Sequence, residues 1–368
     1  MKILMPFKVH NGKKITDTKV MGGLERFAQL LLKSFTNHPT ISIIPFEITK
    51  ENRESGNALV TLVASSNADA GGIFTFGNEP SGAFDLILTN YEEDTYTTKL
   101  LTKSGLPAVW IYHTGQDGTF GRVKATRLFK QFTDAGGHLY FVSKHQHELY
   151  NELSNRILGH PVENVSGYIN PAFCEGFEAY NPQPPLYDVV TIGRTSYIKD
   201  PFWIHNRLKD SAFTSAVITT GGHHLESGNE KKYYQSNLDW QPPRTVFRDL
   251  SHRDGLAKMS RGSVFVSTWP LETWGITALE SLSHGLPTIL LTDKSGHHAS
   301  EMIAADPSHV RCLSKTATTA ELEALINELK AYSTEKRQEI AAATQAKHSK
   351  QAFIDQFTEI FTKAARKT

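Results

Sequence analysis

The chain has 368 residues, more than one hydrophobic core usually organises, so two domains are expected. Its 39% hydrophobic and 21% charged residues exclude a disordered or fibrous chain, and no run approaches the roughly 18 consecutive apolar residues of a membrane span. A formal net charge of +1 excludes a strongly basic protein that coats nucleic acid by bulk charge, while leaving local patches open.

The apolar run Lys2 to Phe7 reads as a first strand rather than a signal peptide, because no small-residue cleavage site follows it. After a polar loop, Gly22-Gly23 opens a helical pattern to about Phe35, with Leu24, Phe27, Leu30 and Leu31 on one face. Further strands are predicted at Ile41 to Phe46, Leu59 to Val63, Phe84 to Leu88, Ala108 to Tyr112 and His138 to Val142. Strands alternating with helical stretches imply a parallel sheet with crossover helices.

Between Ile169 and Tyr187 the residues Asn170, Pro171, Asn181, Pro182, Pro184 and Pro185 form a helix-hostile linker. Beyond it the pattern restarts with short β-prone runs at Asp188 to Ile192, Ala216 to Thr219, Thr245 to Phe247, Val264 to Ser267 and Thr288 to Leu291. The last hundred residues or so are helical, with Thr319 to Tyr332 amphipathic and Ser333 to Ala365 rich in Lys, Gln, Ala and Glu. The division is therefore residues 1–172, residues 186–345 and a C-terminal helix, 346–368, expected to pack back toward the first domain. Cys174 and Cys312 stand far apart and outside any C-x-x-C pair, which suits a reducing cytoplasm, that of a host if the protein is viral. A monomer is expected.

The most informative run is T-W-P-L-E-T-W-G-I-T-A-L-E-S-L-S-H-G-L-P-T-I-L, residues 268–290. It predicts a strand end, a loop carrying Glu272 and Thr273, and a helix starting near Trp274 to Gly275. That helix runs through Ser283 and is capped by Gly285, with Pro287 beyond. The N–H groups of Trp274, Gly275 and Ile276 at such a start can bind sugar hydroxyls or phosphate, helped by the helix dipole. Glu272 can then accept from sugar hydroxyls and Glu280 from a ribose. The alternative makes Glu272 an exposed loop acid and Glu280 a solvated helix residue. Earlier, V-V-T-I-G-R-T-S-Y-I-K-D-P-F ends a strand at Gly193 and delivers Arg194 and Lys199, two cations suited to a diphosphate or to a plain surface loop.

In the first domain, paired glycines at Gly22 and Gly23 permit close backbone approach to a ligand, though they also serve as loop punctuation. The strand A-V-W-I-Y ends in H-T-G-Q-D, which places His113 and Asp117 at the carboxyl edge of its sheet, where open α/β sheets bind ligands. Ser143 and Lys144 end the next strand. The pairs His223-His224 and His297-His298 lack a third ligand at convincing spacing, so no metal is expected. Gly221 and Gly222 suit a donor-side loop.

With Glu272 and Glu280 separated by seven residues, the glycine after the aromatic residue and the terminal G-L-P, this run resembles the retaining GT-B glycosyltransferases. G-G-L-E-R at residues 22–26 and G-R-x4-K at residues 193–199 match further motifs of that family. The resemblance implies two Rossmann-like domains whose parallel sheets face a cleft, with a nucleotide-diphosphate sugar, a UDP-sugar foremost, as donor and no required metal. It implies that Arg194 and Lys199 hold the diphosphate, that Glu272 takes the transferred sugar and Glu280 the ribose, and that His113 lies close to the reacting sugar.

I-G-R-T-S-Y-I-K-D-P-F, L-A-K-M-S-R-G and I-Y-H-T-G-Q-D also resemble segments of the bacteriophage α-glucosyltransferases that modify hydroxymethylated cytosine in DNA. Lys8, Lys13, Lys14 and Lys19, and the helix around Arg122, Lys124, Arg127 and Lys130, are the cations that would track a DNA backbone, with the target base flipped out. The alternative for them is a solvated face. Two other classes stay open: an enzyme of polysaccharide or glycolipid synthesis, and a non-catalytic nucleotide-sugar-binding protein.

Overall fold

A computed structural model describes residues 1–8, 23–48, 59–61, 73–75, 84–89, 106–113, 119–162, 165–174, 184–194, 199–220, 232–233, 235–237, 240, 242–248, 250–293 and 305–366. These divide into two compact units. The first takes the described residues up to Pro171 together with those from Lys350 onward, and the second takes those from Ala172 to Ser349.

In the first unit, strands β1 (Lys2–Lys8), β2 (Ser42–Ile48), β5 (Leu86–Thr89), β6 (Ala108–Tyr112), β7 (His138–Phe141) and β8 (Val165–Tyr168) form one sheet, in the order β2-β1-β5-β6-β7-β8. All its pairings are parallel. Helices α1 (Gly23–Phe35), α2 (Thr119–Asp134) and α3 (Lys144–Leu158) follow β1, β6 and β7. The run Leu59 to Val63, expected as a strand of this alternation, is instead β3 (Leu59–Thr61). It pairs antiparallel with β4 (Ile73–Thr75), outside the main sheet. Strand β8 was not visible in the sequence because V-S-G-Y is an edge strand, paired on one side and only half-buried, and it carries no apolar run.

Strands buried on both faces read as continuous apolar runs, and A-V-W-I-Y of β6 is buried at every position. Its Trp110 and Tyr112 meet Phe129 of α2 edge-on, at 5.3 and 4.7 Å between ring centres, and Tyr112 meets Tyr150 of α3 at 5.5 Å. The C-terminal helix α9 (Lys350–Ala365) packs on β5, β6 and α1. There Phe357 lies 5.7 Å from Phe27 and 4.7 Å from Phe353, and Phe35 lies 5.8 Å from Phe361. Asn170 and Gln356 exchange two hydrogen bonds, each 3.0 Å long, which ties the end of the first unit's main segment to the same helix.

The second unit repeats the plan. Strands β9 (Tyr187–Arg194), β10 (Ser215–Thr220), β11 (Arg244–Phe247), β12 (Gly262–Ser267), β13 (Thr288–Thr292) and β14 (Val310–Ser314) form a sheet in the order β11-β10-β9-β12-β13-β14, parallel throughout. Helices α4 (Trp203–Arg207) and α7 (Thr319–Lys330) bring Ile204, Leu208, Leu322, Ile326 and Leu329 onto the core formed by Val189, Val217, Val264 and Ile289. Helices α5 (His252–Met259), α6 (Ile276–Ser283) and α8 (Thr334–Lys347) complete the unit, with α6 against β12, β13 and α8. Gly262 is fixed by packing, since a Cβ there would stand 2.5 Å from Val190 Cγ2. The tail from Ser333 holds two helices. His348 ends α8 with a non-helical backbone, φ −118° and ψ 51°, and α9 starts at Lys350 rather than at 346.

Phe357 is fully buried among these aromatic rings. Phe357→Ala should therefore destabilise the first unit by about 3–5 kcal/mol, measured as a fall in the midpoint of its unfolding transition.

Candidate functional site

In the second unit the chain runs from β9 outward through β10 to β11, then returns to the other side of β9 as β12. The strand order therefore reverses between β9 and β12, and in open parallel sheets the crevice beyond the carboxyl ends at such a reversal is where ligands bind. The register Phe265↔Val190 sets the carboxyl ends of the two strands beside each other at one edge. Lys199 and Glu272 come after those ends in sequence, and Lys199 Nζ donates to Glu272 Oε2 at 2.7 Å. Their side chains are 28% and 26% exposed, so the pair stands at the surface of the edge, neither free in solvent nor sealed from it. Thr268 Oγ1 donates to the Lys199 carbonyl at 2.8 Å, and the Lys199 ammonium sits 5.5 Å from the centre of the Trp269 ring.

Gly193 lies within β9, one residue from its end. Among the described residues a Cβ there would meet only Pro201, at an ordinary 3.7 Å. Arg194 ends the strand, and its side chain lies outside the described residues.

Helix α6 forms where the sequence predicts it. Gly275 is the N-cap with φ +91°, a left-handed conformation that glycine adopts without steric cost, and it offers no capping side chain. The first intrahelical bond runs from Leu279 N to the Gly275 carbonyl, so the amides of Ile276 and the next two residues precede the helical ladder and point outward from its start. Gly285, with φ +73°, closes the far end. Trp274 is buried and packs edge-on against His348 at 5.7 Å, so its indole serves the core.

Glu280 is not a solvated helix residue. It is 8% exposed, and its Oε1 lies 2.7 Å from Nε2 of His252, the first residue of α5. A carboxylate can only accept, so the imidazole presents Nε2–H to it. Ser251 caps α5 by accepting from the Asp254 amide, which fixes the helix start that carries His252. Nor is Glu272 a free loop acid, given its pairing with Lys199. The sequence reading passed over His252, and its signal is visible only in hindsight: a serine N-cap immediately before it, at the carboxyl end of β11.

In the first unit His113 follows β6 directly. Its ring lies 4.6 Å from Phe27, its Nε2 is buried without a partner among the described residues, and burial pulls its pKa from 6.5 down to about 3. Ser143 is spent on structure: it is fully buried and caps α3 by accepting from the Gln146 amide. Lys144 is exposed beside Glu148. On α2, Lys124 and Arg127 are exposed three positions apart, Arg122 is half-buried, and Lys130 is paired to Asp134 at 2.7 Å. Gly23 opens α1. Gly22, Lys13, Lys14, Lys19, Asp117, Gly221, Gly222 and the two histidine pairs lie outside the described residues. Among the described residues no group of three His, Cys, Asp or Glu could hold a metal ion.

No family model matches the sequence, and no curated protein matches it. Solved structures share the fold. A glycosyltransferase from Rickettsia africae superposes with a TM-score of 0.69 at 12% identity, covering 100% of this chain and 99% of its own. Sucrose-phosphate synthase from Thermosynechococcus elongatus gives 0.66 at 12%, covering 100% of both chains. Anabaena HepE, solved in complex with UDP-glucose, gives 0.65 at 14%, covering 99% of this chain and 100% of its own. Against one chain of a GtfA/B complex structure the TM-score is 0.57 at 10% identity, and the match spans 57% of that chain and 76% of this one. The fold is GT-B: two α/β units, each built on a six-stranded parallel sheet.

Two measurements test this geometry. His252→Ala leaves a buried carboxylate oxygen without its donor and should cost about 1–3 kcal/mol, read as a lower unfolding midpoint for the second unit. His113, with its pKa near 3, should stay neutral across pH 5 to 8 in an NMR titration of the imidazole resonances. A midpoint near 6.5 would contradict its burial.

Proposed function

We propose that the chain is a retaining glycosyltransferase that moves a sugar from a UDP-sugar to an acceptor hydroxyl. The observation that carries this reading is the Lys199–Glu272 pair at the strand-order reversal, set beside the uncapped start of α6. A cation, a hydrogen-bonding carboxylate and outward-pointing amides at one sheet edge suit a sugar diphosphate. A shared fold with HepE, which was solved with UDP-glucose, agrees in direction.

In this reading the diphosphate draws Lys199 away from Glu272, with Arg194 as the second cation. Glu272, released, accepts from hydroxyls of the transferred sugar. Thr273 and the amides of Trp274, Gly275 and Ile276 complete the second unit's donor contacts, and Glu280, held by His252, receives the ribose hydroxyls; Gly22 and Gly23 are donor-contact candidates by their place in the sequence. The bond between the anomeric carbon and the β-phosphate oxygen breaks as the acceptor oxygen bonds to the same face, and the acceptor proton passes to the departing phosphate. No protein nucleophile is required. The chain's residues supply charge that stabilises the leaving group as it forms. His113, the first unit's candidate near the reacting sugar, is kept neutral by burial and so brings no competing positive charge.

For the acceptor we infer a hydroxymethylated, or already glycosylated, base in phage DNA. Support comes from the phage-like segments and from Lys124 and Arg127, which share an exposed face of α2 not neutralised by the Lys130–Asp134 pair. Lys13, Lys14, Asp117 and Arg122 are the further acceptor-side candidates.

The test incubates the full chain with a panel of nucleotide sugars and with hydroxymethylated or unmodified DNA, then digests to nucleosides. A hexose or pentose mass increment on the modified base alone is expected. Donor consumption without any increment points to a carbohydrate or lipid acceptor. Glu272→Gln should lower transfer by about 10²–10³-fold with the fold intact, and near-normal rates in that variant would overturn its assignment.

A further inference from the structure

We propose that Asp200 is a positioning residue that fixes Lys199 through a strained turn, clamped from two other elements of the second unit. The inference deepens the donor-site reading and rests on it for the role of Lys199.

Among the described residues Asp200 is the one non-glycine residue at positive φ, at +46°. A side chain held in such a conformation persists only where its surroundings over-determine it, and such residues cluster at functional sites. The surroundings here do so. Tyr233 Oη donates to Asp200 Oδ1 at 2.8 Å, and Lys315 Nζ, just beyond β14, stands 3.3 Å from Oδ2. Tyr233 Oη also accepts from the Phe202 amide at 3.3 Å, and the Trp203 amide donates to the Asp200 carbonyl at 3.1 Å. The preceding carbonyl, that of Lys199, is taken by Thr268 at 2.8 Å.

Both carboxylate oxygens and two consecutive carbonyls of this turn are thus held, by residues from four places in the chain. The consequence falls on Lys199, whose ammonium is delivered to Glu272 and to the face of Trp269. A carboxylate that merely steadied the start of α4 would have no reason to act on the lysine before it. A positioning residue would, and the two roles separate by measurement.

The experiment uses the full chain with Asp200→Gly, Asp200→Asn and Tyr233→Phe. Glycine adopts φ +46° without strain but abandons the clamp, asparagine retains part of it, and Tyr233→Phe removes one hydroxyl and keeps the aspartate. The first readout is independent of any nucleotide: acylation of Lys199 by an amine-reactive ester, followed by peptide mass spectrometry with the other lysines as internal reference. Lys199 should react several-fold faster in Asp200→Gly and Tyr233→Phe than in the wild type, and at an intermediate rate in Asp200→Asn.

The second readout is the ratio of UDP to UMP affinity. UDP should weaken about tenfold and UMP by less than about twofold, because only the diphosphate reaches Lys199. Unchanged Lys199 reactivity together with an unchanged UDP/UMP ratio overturns the inference while leaving the donor reading intact. If the wild type binds neither nucleotide, the donor reading falls and the acylation rates alone decide whether Asp200 positions Lys199. Should Asp200→Gly fail to fold, Tyr233→Phe carries both measurements.

Discussion

The second unit's site depends on one constraint of topology: β9 and β12 lie side by side although β10 and β11 come between them in sequence. A parallel sheet built this way must reverse its strand order, and the carboxyl ends of the two strands at the reversal lie at one edge, where such sheets bind ligands. Lys199 reaches Glu272 for that reason, across 73 residues of chain. Without the adjacency each would be a surface charge, and exposed ion pairs are worth little by themselves. With it, the protein places opposite charges at one edge, half-exposed, where a charged ligand can take either partner.

The buried counterpart is Glu280. A carboxylate is rarely buried unless something compensates it, and here His252 does so at 2.7 Å. This explains why α6 can bury almost all of its length and still carry an acid. Residues 278–283 are all buried, the cap at its start is a glycine, and the next glycine at positive φ ends it. The helix is set into the unit by packing, and its open start is left facing the edge where Lys199 and Glu272 meet.

Much of the fold was legible because parallel strands buried on both faces write themselves as apolar runs: A-V-W-I-Y and T-I-L-L are examples where run and strand agree closely. What stayed hidden was what periodicity does not encode. β8 and β14 are edge strands with mixed burial, and the short β3 pairs antiparallel away from the main sheet. At the site, motif spacing singled out Glu272, Glu280 and Lys199, yet gave no hint that two of them pair or that the third is buried. His252, Asp200, Tyr233 and Lys315 were invisible for a common reason. Each is held by a partner remote in sequence, His252 by Glu280 and Asp200 by Tyr233 and Lys315, and only the tertiary fold creates the contact.

The central claim is that a sugar diphosphate occupies the carboxyl edge of the second unit. Hydrogen–deuterium exchange with and without UDP-glucose tests it most directly, because the first-turn amides of α6 are the groups proposed to bind. The account predicts ligand-dependent protection over residues 193–199 and 272–280. Protection confined to the first unit, or no protection at saturating UDP-glucose, would contradict it.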